Sequence, residues 1–401
     1  MEKLIIFCKN AVETLTYFSM QLAEAFEAWG YETFWFDMQM AGLSAWKLRQ
    51  AMEQKKEAVL LTFNFIGLSG EEELWELDDF SVPRISLWEK LDIFCLNIMV
   101  DHPVYYDKAL AYRLPRIQTF CVDRDHVAYM KRFYPKTPCE FLPLAGNDLL
   151  SAQAALPDTF EQWQRRPYPL VFTANYVPVA NIDRQLMEME TEYREFYYEI
   201  IESFIKEPGQ DLLSCIESYL RREIPDLTDA QVCEGMHTMP VVDLWIRTYF
   251  REKTVRILAE GGIKVHLFGK DWDLVACAHP ENLVSAGRMV SSGDCVQAIA
   301  QANIALNTMP WFKDGAHDRI FTAMLHGAAA LTDGSTYLRE QFAHMDTAAF
   351  YDLQSLECLP QQVEELLGEP QRLYEMACRG KAVAKQLHRW KNRAEILKGY
   401  V

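Results

Sequence analysis

IALNTMPWFKDGAHDRIFTAMLHGAAALTD, residues 304–333, passes through four local patterns. The stretch 304–307 opens as a short apolar run, the mark of a buried strand. Residues 308–316 read as a loop, with Gly315 giving turn freedom. A helix is expected over 317–326, stopped by Gly327. Residues 328–332 form a second buried strand, and Thr332-Asp333-Gly334 put polar atoms at its carboxyl end. Strand, loop, helix and strand in this order make one unit of a parallel sheet. In such sheets ligands bind beyond the carboxyl ends of the strands, so the loops there are where chemistry belongs.

Outward from this segment the alternation recurs. The first 146 residues predict strands at 4–8, 33–36, 58–66, 93–100, 119–122 and 140–142, with helix-length segments between them. Asn10 is expected to cap the first helix with Glu13 as its capping-box partner, and Gly30 to end it. A second helix is expected at 44–56. Residues 147–168, polar and Pro-containing, read as a linker. A second series starts with a strand at 170–174. A largely helical insertion, rich in Glu and aromatics, interrupts it over about 182–235, with a solvated acidic face. A helix at 241–260, strands at 265–268 and 283–286 and a helix at 293–302 lead back to residue 304. Helices at 360–367, 370–386 and 390–399 close the chain. The fold class is therefore α/β, with two Rossmann-like domains facing a cleft. They span 1–150 and 165–385, and the helix at 388–401 is expected to cross back to the first.

Charge and cysteine usage exclude several functions. There are 40 Lys and Arg against 57 Asp and Glu, a formal charge of −17. Nucleic-acid binding needs a basic face, so neither nucleic acid nor an anionic membrane is an expected partner. The ten cysteines form no CxxC and no zinc spacing with His, and several lie in apolar runs. Buried thiols in a reducing compartment account for them, which predicts a cytoplasmic protein. The N-terminal apolar run is too short for a signal peptide, and no stretch is long enough to span a bilayer. Metal-ligand spacings, GxSxG and the Walker pattern are absent.

Four groups of residues can carry chemistry. His317, Asp318 and Arg319 fall at a helix N-terminus, where backbone N–H groups and the helix dipole favour an anion. Arg319 adds a bidentate phosphate donor. The competing reading has His317 and Asp318 capping the helix and Arg319 paired with a surface carboxylate. In Phe268-Gly269-Lys270-Asp271-Trp272, Gly269 allows a ligand near the backbone, Lys270 can reach a phosphate and Trp272 can stack on a base. A tight turn with a solvated lysine is the other reading. Asn175, after the strand at 170–174, is either a ligand contact or an Asx turn. In the first domain Asp101 and His102 follow the strand at 93–100, a place suited to a general base. Alternatively Asp101 caps the next helix and His102 packs on Tyr105 or Tyr106. Asp123 to His126 is a second such place, where Asp123 also reads as a helix cap. Asn10 and Asn64 sit at strand ends and can line a ligand site of the first domain. His326 ends a helix, where the dipole stabilises a cation.

The run DGAHDRIFTAMLHGAAALTD, 314–333, resembles the donor-binding core of group 1 glycosyltransferases of the GT-B fold. It is nearest to the spore-maturation glycosyltransferase-like branch, with the pattern DGxHDRxFxAMxxGxxxLTD. VFTANY at 171–176 is similar to the first strand and turn of that family's donor domain, and VHLFGKDW at 265–272 to its FGxxW strand. The resemblance implies a hexosyltransferase-like, metal-independent enzyme with no cofactor. It would move sugar from a nucleotide-diphosphate sugar to a hydroxyl or amide of an acceptor: a glycan, a protein or a small molecule. The first domain would hold the acceptor, with Asp101 and His102 as catalytic residues. The second would bind the donor through Asn175, Gly269, Lys270, Asp314, Gly315, His317, Asp318, Arg319 and Thr322. One departure stands out: many relatives carry Glu where this chain has Thr322. A non-catalytic nucleotide-sugar-binding module or sensor is therefore the alternative, and a sugar-nucleotide epimerase on the same fold is a third reading.

Overall fold

The computed structural model describes residues 3–54, 57–69, 74–76, 85–112, 114–149, 159–285, 287–342, 344 and 346–401. They fall into two units, 1–145 with 388–401, and 146–387.

The first unit runs β1 (Lys3–Lys9), α1 (Glu13–Ala28), β2 (Glu32–Asp37), α2 (Ala41–Gln54) and β3 (Glu57–Phe63). A short antiparallel pair follows, β4 (Trp75–Glu76) and β5 (Ile85–Ser86). Then come α3 (Leu87–Lys90), β6 (Phe94–Met99), α4 (Asp107–Ala111), β7 (Ile117–Cys121), α5 (Arg124–Phe133) and β8 (Cys139–Phe141). Six strands pair in parallel in the order β2-β1-β3-β6-β7-β8. Leu4 to Phe7 of β1 are buried on both faces, as the unbroken apolar run requires.

Two expectations need correction here. Asn10 does not cap α1. That helix starts after Val12 with no side-chain cap, and Asn10 turns left-handed at φ 62 and donates from Nδ2 to Asp37 Oδ2 at 2.8 Å. Asn tolerates this conformation, so it serves to join the ends of β1 and β2. β3 stops at Phe63 instead of residue 66, because Asn64 (φ 50) and Phe65 (φ 57) are also left-handed. Asn97 Oδ1 holds that turn by accepting from Phe65 N at 2.8 Å.

The second unit begins with α6 (Phe160–Gln164) and β9 (Tyr168–Thr173). Four helices form the insertion: α7 (Val179–Met187), α8 (Thr191–Lys206), α9 (Leu212–Glu223) and α10 (Asp229–His237). As its spacing predicts, α8 buries Tyr197, Ile200, Ile201 and Phe204 and exposes Glu195, Glu199 and Glu202. The chain continues through α11 (Pro240–Glu260), β10 (Val265–Phe268), β11 (Leu283–Ser285), α12 (Ser292–Ala300) and β12 (Ala302–Asn307). It ends with α13 (Asp318–Leu325), β13 (Ala329–Asp333), α14 (Thr336–Phe342), β14 (Ala349–Tyr351), α15 (Leu359–Gly368) and α16 (Pro370–Leu387). The sheet is again all parallel, in the order β11-β10-β9-β12-β13-β14. From β9 the chain builds outward to β11, then returns and builds the other way from β12. The reversal lies between β9 and β12, and their carboxyl ends are where ligands enter such sheets.

α14 and β14 were not anticipated; three residues of strand are too few to show a period. Residues 55 and 56 of the expected second helix, 150–158 of the expected linker and 286 at the end of an expected strand lie outside the described residues. After α16, α17 (Trp390–Leu397) joins the first unit, with the Trp390 ring 4.8 Å from Phe18 and 5.8 Å from Phe63. Arg393 secures it by donating from Nε to Pro143 O and from Nη2 to Leu144 O. No described helix is long and apolar enough to cross a membrane.

Candidate active site

Every residue of β12 and β13 is buried, so the loop between β12 and α13 starts from a rigid base. Asp333, at the end of β13, accepts from Met309 N at 2.8 Å, and Ser335 Oγ donates to Gly315 O at 2.5 Å. Asp314 and Gly315 lie in this loop, just before the helix. His317 occupies the N-cap position, but its side chain makes no cap bond. Its Nδ1 lies 3.0 Å from Asp318 Oδ1 without hydrogen-bond geometry. The capping reading of His317 is thus not realised.

Five charged or titratable groups converge at this helix end: His317, Asp318, Arg319, Arg251 and Arg247. Burial, followed by Arg319, Arg251 and Arg247, holds the His317 imidazole well below its usual range, so it is neutral. Burial first, then Arg319 and Arg247, lowers Arg251 to about 9. Arg319 is lowered by burial, with Asp318 acting against the shift. Asp318 is raised by burial, while Arg319 and a hydrogen bond from Asn147 act against that. Arg247 pairs with Asp243 at 3.0 Å, and its guanidinium lies 4.8 Å from the centre of the Trp311 ring. Among the described residues, Arg319 Nη1 and Arg251 Nε are buried without a hydrogen-bond partner. Buried donors of this kind are costly unless a ligand satisfies them. The cluster can hold a polyanion.

Sequence reading found Arg319 but missed Arg247 and Arg251. They lie one helical turn apart on α11, far along the chain from the motif. Their position i, i+4 on one face was the available signal, yet an amphipathic helix shows the same spacing.

The loops after β9 and β10 reach the cluster through Arg251, whose Nη1 donates to Asn175 O at 2.9 Å. Asn175 is exposed, and its Oδ1 accepts from Lys270 N at 3.0 Å. Gly269 has φ 152, and a Cβ there would lie 2.0 Å from Ala174 O. Gly269 therefore makes room for the neighbouring loop, not for a ligand as expected. Lys270 Nζ is partly exposed, 3.6 Å from Asp271. Trp272 cannot stack on a base: it is fully buried, donates to Ala174 O at 2.6 Å and stacks on Tyr176.

Two residues of α13 also depart from expectation. Thr322 is buried, and its hydroxyl donates to Asp318 O at 2.9 Å and accepts from Asn147 N at 3.0 Å. That use of the hydroxyl within the fold replaces the donor contact expected of it. His326 is buried and its imidazole is lowered by that burial, so it is not the expected helix-end cation.

In the first unit Asp101 and His102 diverge. Asp101 Oδ2 accepts from Asn64 Nδ2 at 2.9 Å and from the Tyr106 hydroxyl at 3.4 Å. His102 instead caps the turn Pro103–Tyr106, its Nδ1 accepting from Val104 N at 3.0 Å. That bond places the proton of a neutral ring on Nε2. The ring packs on His126 and Tyr129. Asp123 caps α5, accepting from Asp125 N at 2.8 Å.

Residues 247–399 match the model of a family described as glycosyl transferase-like. The match contains all of 304–333, together with Arg247 and Arg251. Sucrose-phosphate synthase from Thermosynechococcus elongatus is similar over 100% of this chain and 98% of its own, with a TM-score of 0.54 at 12% identity. A trehalose-6-phosphate protein from E. coli, solved with UDP-2-fluoro glucose bound, is similar over 99% of this chain and 98% of its own. There the TM-score is 0.51 at 8% identity. The fold is GT-B. The two six-stranded parallel sheets are the two Rossmann-like halves of this GT-B chain, and the α/β class read from the sequence holds. No curated protein matches the chain in sequence.

Proposed function

We propose that this GT-B protein is a nucleotide-sugar-dependent glycosyltransferase, with its donor site in the second unit and its acceptor site in the first. The observation that carries the reading is the convergence of Arg247, Arg251 and Arg319 on the N-terminus of α13, where the N-cap residue His317 makes no cap bond. A diphosphate satisfies their buried donors and relieves their mutual repulsion. Asn175 and Lys270 border the cluster, and Asp314 and Gly315 lead into it. The glycosyl transferase-like match over 247–399 and the UDP-sugar bound to the E. coli structure agree with such a donor. Within this class, the run at 314–333 favours the spore-maturation-like branch.

In the reaction, the bond from the anomeric carbon to the diphosphate oxygen breaks, and the nucleoside diphosphate leaves with the electron pair. The guanidiniums and the helix N-terminus stabilise that charge as it develops. They supply positive charge of the kind a divalent cation would otherwise provide, which supports transfer without metal. An acceptor oxygen or nitrogen bonds to the anomeric carbon and loses its proton. Asp101, held by Asn64 and Tyr106, is the proposed base. His102 is the weaker choice, because Val104 N occupies its Nδ1 lone pair.

Thr322 in place of Glu is the argument for a non-catalytic sensor; the bonds of its hydroxyl to Asn147 N and Asp318 O give the threonine a structural role of its own. A thermal-shift screen of nucleotide sugars, followed by an assay for sugar release from the stabilising donor, tests the proposal. Stabilisation with slow hydrolysis is expected, since water is a poor substitute for the acceptor. Stabilisation with no turnover in any acceptor mixture would favour a sensor.

A further inference from the structure

We propose that Asn147 is a positioning residue of the anion site, acting through Asp318; the inference rests on the donor reading above. Asp318, Thr322 and His326 stand four residues apart, on one face of α13 and its C-cap. All three bind Asn147. Its side-chain Nδ2 donates to Asp318 Oδ2 at 2.8 Å, its N–H to Thr322 Oγ1 at 3.0 Å, and its carbonyl pairs with His326 Nε2 at 2.9 Å. Asn147 is buried, and Gly146 beside it is pressed on the helix: a Cβ there would lie 2.6 Å from Phe321 C.

The three contacts fix Asn147 along the helix, and Asn147 in turn fixes Asp318. One carboxylate oxygen faces Asn147 and the other faces His317. Asp318 is also the carboxylate whose charge counters Arg319, so where Asn147 and His317 hold that carboxylate sets the field an anion meets at this helix end. Thr at position 322 follows directly. A hydroxyl both accepts from Asn147 N and donates to Asp318 O, which an ionised Glu cannot do.

Asn147→Asp keeps the shape and replaces the donor with a second carboxylate facing Asp318. Asp318 is also faced by His317 and Arg319, with Arg247 and Arg251 from α11 and Cys295 of α12 beside them. His326, Asp148, Arg166 and Lys381 lie on the other side of Asn147. At about pH 8 both carboxyls are ionised and repel. Nearer pH 5 they share a proton and the hydrogen bond returns. Calorimetry with UDP, GDP and ADP is expected to show about tenfold weaker binding for Asn147→Asp at the higher pH. Relative to wild type, affinity should recover on acidification. Unaltered affinity at both pH values, or a loss that acidification does not reverse, would overturn the role of Asn147 alone. Wild-type protein that binds none of the three nucleotides would overturn the donor reading, and this inference with it.

Discussion

Arg251 donates from Nη1 to the backbone carbonyl of Asn175 at 2.9 Å, tying α11 to the loop after β9. With the Tyr176 hydroxyl donating to Glu252 Oε2 beside it, that bond holds α11 at the carboxyl end of the strand at which the sheet reverses.

Arg251→Met is expected to weaken nucleoside-diphosphate binding about tenfold or more, since bonds to charged groups are the strong ones. The ligand-free protein should not lose stability in proportion, because the substitution also relieves repulsion from Arg319 and Arg247. Calorimetry and thermal denaturation of the same sample measure both effects. A large fall in Tm with intact affinity would make Arg251 purely structural.

Asp101→Asn is expected to slow sugar transfer by about 100-fold or more, the usual scale for losing a general base. His102→Gln should have a much smaller effect. The ratio of initial rates decides between them, and equal losses would return His102 to the mechanism.

Trp272 belongs to the core, and Trp272→Ala should cost about 3–5 kcal/mol of stability, read by denaturant unfolding. Trp272→Phe should keep donor affinity. A base-stacking Trp would show the reverse pattern.

Gly269→Ala should destabilise by about 3 kcal/mol or more, because its backbone is strained for any side chain and the methyl meets Ala174 O. Thermal denaturation checks this.

Burial raises Asp333 from its ordinary 3.8 to about 6. The native state then binds the proton more tightly than the unfolded state, so stability is lost as pH rises through that window. Asp333→Asn is therefore expected to be more stable than wild type at about pH 8, with the difference shrinking toward pH 4. A gap that does not change with pH would contradict the buried-acid assignment.

Much of this fold was legible because buried strands and amphipathic helices announce themselves by period. The strand at 265–268 matches its expected ends, and β12, α13 and β13 fall within two residues of theirs. His317, Asp318 and Arg319 were legible for the same reason: they share one helix end with the motif. Arg247 and Arg251 were not, because only the tertiary packing of α11 brings them there. Trp272 and Thr322 were misread because residue type alone does not show which way a side chain faces. Asn147 lay at the start of an expected linker, where no pattern pointed to a helix face nearly two hundred residues away.

The most direct test is a calorimetric titration of wild-type protein and Arg319→Ala with UDP, GDP and ADP. Binding of at least one nucleoside diphosphate by wild type, weakened about tenfold or more in the variant, is the predicted result. Equal affinity in the two proteins, or no binding to wild type, would contradict a donor site at the head of α13.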